Sequence, residues 1–236
     1  MINDQRLLVI VSNDLSLIVS LVTWFSIMVW LRRSGWRMQR RYFVDATLTP
    51  LRRTPIVWAA GLIGLLTLVV SIQRPASPAI VAVAMIGCIS AYIDARTHRL
   101  PNAYTAAMAV GVGVGVATAA LTAESLIDLG ASVLAGIAVW FIPMWLLSRV
   151  PGGVGYGDVK ISPVLGAMLG CVSIEAAVFG FIVSFIAAGL GALAQVVVGS
   201  AGTRTRMPMG PWLISGALAA HILWGIIPDW TGAPAV

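Results

Sequence analysis

Long apolar runs separated by short polar segments dominate the chain. There are eight such runs, at about 14–31, 56–72, 79–95, 103–121, 126–147, 159–171, 174–198 and 211–227. Because a transmembrane helix needs about 20 predominantly apolar residues, the pattern predicts an all-α, polytopic transmembrane helix bundle with about eight membrane segments. The sixth run is short enough to be only a partial span. We expect one integral membrane domain over residues 1–236.

Composition supports this fold class. Of the 236 residues 59% are hydrophobic and 10% are charged, against about 25% charged in an average soluble domain. A soluble enzyme, a disordered tail and a disulfide scaffold are therefore excluded. The two cysteines form no CxxC pair and the two histidines are far apart, so no metal site and no cofactor are predicted.

The basic residues predict the topology, because loops rich in lysine and arginine stay in the cytoplasm. Residues 32–55 form a basic loop that contains seven arginines, which places this loop inside and the N-terminus outside. Treating 159–198 as one span would send Arg204 and Arg206 outside, so we divide it at residues 170–173. This arrangement puts 13 of the 15 lysines and arginines inside and both termini outside.

The same basic loop accounts for the net charge of +6, so a nucleic-acid partner is not expected. Its simplest role is a topology anchor near anionic membrane lipid. The first run lacks a clear small-residue cleavage site and leads directly into this loop, so we expect it to be an uncleaved anchor.

Two acidic residues lie at the predicted cytoplasmic edge of the hydrocarbon region, on different helices. Asp94 ends the apolar run 82–93, and Asp158 follows the glycine-rich loop Pro151-Gly152-Gly153-Val154-Gly155-Tyr156-Gly157. An acid at membrane depth is costly and is a candidate functional residue. Two converging carboxyl groups can share one proton, so that one activates water while the other protonates a carbonyl oxygen. The pattern indicates aspartic protease chemistry.

Glycines and prolines surround these acids. Gly152, Gly153, Gly155 and Gly157 are expected to allow positive φ angles and the close approach of an extended peptide. Asp94 is followed by Pro101-Asn102, Asp158 belongs to Gly155-x-Gly157-Asp158-x-Lys160, and Met207-Pro208-Met209-Gly210-Pro211 precedes the last run. Over about 80–227, taken as the peptidase core, this set of motifs resembles the prepilin peptidases, the type IV leader peptidase family of GxGD membrane aspartic proteases.

The resemblance implies an endopeptidase of the inner (cytoplasmic) membrane whose catalytic residues are Asp94 and Asp158. Its substrates would be type IV prepilins or pseudopilins of pilus and protein-secretion systems. These carry a short basic leader, a glycine at the cleavage point and an apolar helix after it, and they are cut at the cytoplasmic face. Family members with an N-terminal cysteine domain also methylate the new N-terminus. Because this sequence has no four-cysteine cluster, peptidase activity alone is expected.

The other motif residues have competing interpretations. Asn102 is expected to cap the fourth helix, with a role in the site as the alternative. Pro208, Gly210 and Pro211 either start the last helix or, by resemblance, bind the extended substrate. Helix dipoles favour Asp158 as the ionised base, supported by Lys160, and Asp94 as the neutral acid. Gly111 and Gly115 are interpreted as helix-packing residues rather than a phosphate loop.

Two other functions compete with the peptidase. A small transporter or cation channel could use Asp94 and Asp158 as an ion site, which an inverted repeat would support. No such repeat is visible, because the glycine loop occurs once. A structural assembly subunit would not need two acids at one depth. The oligomeric state is not predicted.

Overall fold

The computed structural model describes residues 2–71, 74, 76–198 and 207–224, with side chains from residue 14 onward. In these residues the protein is all-helical, which confirms the predicted fold class. The α-helices are α1 Ile2–Arg33, α2 Arg40–Asp45, α3 Arg53–Ser71, α4 Ser77–Thr97, α5 Asn102–Ala120, α6 Leu126–Ser148, α7 Tyr156–Gly170, α8 Ile174–Val197 and α9 Gly210–Trp224. The predicted split of residues 159–198 is correct, since α7 and α8 are separate helices.

Within the described residues, six helices are long and apolar enough to cross a membrane: α1 from Asp14, α3, α4, α5, α6 and α8. Helices α7 and α9 have 15 described residues each, which is less than the roughly 20 that a full span needs. The predicted short sixth segment is therefore α7. The protein is a multi-pass membrane protein.

Helix α4 lies at the centre of the bundle. It packs against α1, α3, α5 and α9, and every residue from Ser77 to Gly87 is buried. By contrast, α3 and α8 expose large apolar side chains such as Leu66, Val69 and Leu190. Because such side chains are costly in water, this distribution fits a bundle whose outer surface faces lipid.

Small residues bring neighbouring helices into close contact. A Cβ on Gly111 of α5 would collide with Ala82 of α4, and one on Gly115 would lie 2.5 Å from the Cβ of Ala79. The interpretation of these two glycines as packing residues is thereby confirmed. Helices α6 and α7 approach equally closely, because a Cβ on Gly136 would collide with the carbonyl oxygen of Gly166.

The predicted basic loop is an ordered segment. It contains a 3-10 turn at Gly35–Arg37 and the helix α2. Buried Gln39 both donates to the carbonyl oxygen of Leu51 (2.9 Å) and accepts from its N–H (3.2 Å). The hydroxyl of Tyr104 on α5 donates to the carbonyl oxygen of Gly35 (2.9 Å). These bonds hold the segment against the end of the bundle where α4 ends and α5 begins.

Candidate active site

Asp94 lies in the last turn of α4. His98 ends this helix in a left-handed conformation (φ 53°), and its N–H donates to the carbonyl oxygen of Asp94 (2.8 Å). The side chain of Asp94 is only 5% exposed. Its Oδ2 accepts a hydrogen bond from the backbone N–H of Gly210, the first residue of α9 (3.0 Å). A bond between residues 116 positions apart thus fixes one oxygen of this carboxyl group.

Asp158 lies in the first turn of α7. Gly155 caps the helix with an extended backbone (φ −67°, ψ 146°), and its carbonyl oxygen accepts the N–H of Asp158 (3.0 Å). The Asp158 side chain is 7% exposed. Within the described part of the chain its buried Oδ1 has no hydrogen-bond partner. A buried polar atom normally has a hydrogen-bond partner, so this oxygen is available to bond to a ligand of the site.

The structure brings the two aspartates together. Burial raises the pKa of Asp158 to about 7, and the negative charge of Asp94 adds to this rise. Leu100 connects their surroundings, because a Cβ on Gly157 would lie 3.1 Å from its Cβ and a Cβ on Gly210 would lie 3.1 Å from its Cδ2. Three helix ends, from α4, α7 and α9, therefore meet around one pair of buried carboxyl groups.

Only one of the four loop glycines adopts the conformation expected for all of them. Gly152 has a φ of +79°, whereas Gly153, Gly155 and Gly157 do not have positive φ. Gly153 instead has no room for a side chain, because its Cβ would collide with the carbonyl oxygen of Leu147, and a Cβ on Gly157 would be in tight contact with Leu100. A Cβ on Gly155 would lie 3.2 Å from Oδ2 of Asp158. These three glycines allow close packing rather than an unusual backbone.

Lys160 of α7 and Asn102 of α5 bond to each other. The Lys160 ammonium donates to Oδ1 of Asn102 (3.1 Å) and lies 5.2 Å from the centre of the exposed Tyr156 ring. The prediction that Asn102 caps the helix is wrong, since the cap is Pro101 in an extended conformation and Asn102 is the first helical residue. The Asn102 side chain joins α5 to α7 instead.

The segment Met207–Pro211 leads into the site. Pro208 precedes α9, Gly210 and Pro211 begin it, and Gly210 is buried against Asp94 and Leu100. The contact of Gly210 with Asp94 was not foreseen, and neither was the contribution of Leu100. In the sequence, only the position of Leu100 directly before Pro101 indicated that Leu100 could lie near the site. Among the described residues no three His, Cys, Asp or Glu side chains form a group that could hold a metal ion.

Known proteins are similar to the part of the chain that contains both aspartates. The sequence model of the type IV leader peptidase family matches residues 79–194, a range that contains Asp94 and Asp158 but ends before Pro208. The prepilin leader peptidase/N-methyltransferase of Bacillus subtilis (strain 168) is 31% identical over 90 residues, which are 38% of this chain and 35% of that protein. The chain therefore matches about a third of this relative's length. No solved structure matches the chain.

Proposed function

Because the chain belongs to the type IV leader peptidase family, we propose that it is a membrane aspartic endopeptidase that removes the basic leader of prepilin-like proteins. The observation that carries this proposal is the pair of buried carboxyl groups of Asp94 and Asp158, which lie where the ends of α4, α7 and α9 meet. Two carboxyl groups in one buried site hold a single proton between them, which is the state that general acid–base hydrolysis requires.

The hydrogen bonds of the two aspartates support a proposal about their roles. The Gly210 N–H donates to Asp94 and stabilises its carboxylate form, whereas Oδ1 of Asp158 has no donor among the described residues. We therefore propose Asp94 as the base and Asp158 as the acid. This is the reverse of the assignment that the helix dipoles favour, because one direct hydrogen bond contributes more than a terminal dipole of about 0.3–1 kcal/mol.

The reaction then proceeds in two steps. Asp94 takes a proton from water while the water oxygen bonds to the carbonyl carbon of the scissile peptide, and Asp158 gives its proton to the carbonyl oxygen. In the second step the intermediate collapses, the C–N bond breaks, and the proton on Asp94 moves to the leaving amine. Asp158 recovers its proton from the hydroxyl group, so the pair returns to its starting state.

The proposed substrate is a prepilin or pseudopilin with a basic leader, a glycine at the cleavage point and an apolar helix behind it. The apolar helix would enter beside the membrane-spanning helices, and the scissile bond would reach the two aspartates. The excess of arginine at this end of the bundle supports a site at the cytoplasmic face of the inner membrane. The residues 80–227 are proposed as the peptidase core.

The test is cleavage of such a prepilin by the purified protein in detergent. We expect cleavage after the leader glycine, and a loss of at least about a hundredfold in Asp94→Asn and in Asp158→Asn, because general acid–base catalysis contributes about 10²–10⁴. Asp128→Asn is the matched control, since this carboxylate is exposed in the first turn of α6. Full activity in either site variant would refute the proposal.

The transporter or cation channel is the competing function, and the family match does not favour it. Ion flux through the wild-type protein in liposomes without peptide, lost in the same two variants, would support it instead.

A further inference from the structure

The arginine segment, residues 32–53, carries the strongest concentration of charge in the described part of the chain. All seven of its arginines are exposed: Arg32, Arg33, Arg37, Arg40, Arg41, Arg52 and Arg53. Its one acidic residue, Asp45, is bonded to Arg99 outside the segment (3.2 Å). Seven positive charges are therefore presented without a carboxylate of the segment to neutralise them.

Aromatic rings hold several of these arginines in place. The guanidinium groups of Arg37 and Arg40 lie 5.7 and 5.9 Å from the centre of the Trp36 ring, and that of Arg41 lies 5.6 Å from the centre of the Tyr42 ring. Contacts of this kind contribute about 0.5–1 kcal/mol at exposed sites. They reduce the freedom of the arginines before any ligand arrives.

The backbone beneath these arginines is fixed to the bundle. Phe43 is 2% exposed and stacks on Tyr92 of α4, with ring centres 6.5 Å apart. Tyr92 lies two residues before Asp94. A ligand that stabilises the arginine segment will therefore also stabilise the end of α4 that carries this aspartate.

The location of the segment identifies its ligand. It begins at the end of the membrane helix α1 and ends at the start of the membrane helix α3, so its 19 intervening residues are tied to the membrane surface at both ends. A guanidinium group matches phosphate oxygens in a two-pronged geometry, and each arginine near an anionic membrane surface contributes to attraction. We propose that the arginine segment is a docking surface for the phosphate headgroups of anionic phospholipids.

Lipid binding does not depend on catalysis, so the test uses thermal unfolding of the full-length protein in nanodiscs. The discs contain phosphatidylcholine alone or with increasing phosphatidylglycerol. We compare the wild type, Arg40→Gln/Arg41→Gln and the control Arg96→Gln/Arg149→Gln, whose arginines are also exposed and lie at the ends of α4 and α6. Both double variants lose two charges, and equal midpoints in phosphatidylcholine show that they fold.

We expect phosphatidylglycerol to raise the midpoint of the wild type and of the control. Without the two segment arginines the rise is smaller by about 4 °C or more. High salt reduces the wild-type effect, and native mass spectrometry finds fewer retained phosphatidylglycerol molecules on Arg40→Gln/Arg41→Gln than on the control. A wild type that does not respond to the anionic lipid would overturn the proposal and favour an acidic protein partner. Equal losses in the two double variants would also overturn it.

Discussion

At the residue scale, Gly210 connects the last helix to the proposed chemistry. Its N–H holds Oδ2 of Asp94, and a Cβ at this position would lie 2.7 Å from that oxygen. Every other residue type would therefore push the carboxyl group out of its present place. Pro211 next to it has no N–H, so the Gly210 donor is not duplicated by the following residue.

Replacing Gly210 with alanine tests this role. We expect kcat for the proposed prepilin cleavage to fall about ten- to hundredfold with little change in KM, because the contact that is lost is a hydrogen bond to the Asp94 carboxyl group, and such a bond contributes about 1.5–3 kcal/mol. Gly113→Ala is the control, since a Cβ at Gly113 meets nothing within 4 Å. A Gly210→Ala protein with wild-type kcat would show that this bond does not position the proposed base, Asp94.

At the scale of the helices, the sequence indicates where most helices begin and end, but it does not indicate which helix ends contact each other. The apolar runs locate seven of the helices to within three residues at each described end, because the length of an apolar run follows directly from membrane thickness. The exception is α1, which begins at Ile2, twelve residues before the predicted run, because its first turns are too polar to be read as part of a span. The bond between Gly210 and Asp94 could not be read in this way. It depends on where α9 begins relative to the end of α4, and that distance is determined by packing of the whole bundle.

Asn102 illustrates the same limit. Its position after Pro101 suggested a cap, since asparagine is among the preferred capping residues. In the structure Lys160 competes for the Asn102 side chain from another helix, and Pro101 supplies the extended backbone at the helix start. The partner lies 58 residues away, so local propensity alone could not predict the outcome.

The α6–α7 interface permits a sharp test of helix packing. A Cβ on Gly136 would meet backbone atoms of both Gly166 and Gly170 on α7, and backbone atoms cannot rotate away. We expect Gly136→Ala to cost about 1–3 kcal/mol and to lower Tm in detergent by roughly 2–12 °C.

The same helix supplies the control for this prediction. A Cβ on Gly130 of α6 meets nothing within 4 Å, and alanine favours a helix over glycine by up to about 1 kcal/mol. Gly130→Ala should therefore keep or raise Tm. Equal values of Tm for the two variants would mean that α6 and α7 separate readily enough to admit a methyl group.

At the scale of the whole molecule, a polar cluster closes the end of the bundle opposite the aspartates. Arg74, between α3 and α4, donates to Nδ1 of buried His221 on α9 (2.9 Å) and to the carbonyl oxygen of His221. The carbonyl oxygen of Arg74 accepts from the hydroxyls of Ser16 (2.8 Å) and Ser77 (2.6 Å). One arginine thus joins α1, α4 and α9. Its contact on α4, Ser77, lies about 25 Å along the helix from Asp94.

This separation predicts that stability and catalysis respond differently to a change at Arg74. Arg74→Met keeps an unbranched apolar side chain but leaves the buried polar atoms of His221 without their donor, at a cost of about 1–3 kcal/mol. We expect Tm to fall by several degrees, while kcat measured well below Tm stays within about twofold of wild type. Arg96→Met, at an exposed position, should change neither value. Arg74→Met could instead lower kcat as strongly as Gly210→Ala at that temperature. The two ends of α9 would then be coupled through the helix. In that case local contacts alone would not determine the position of Gly210 at the start of α9.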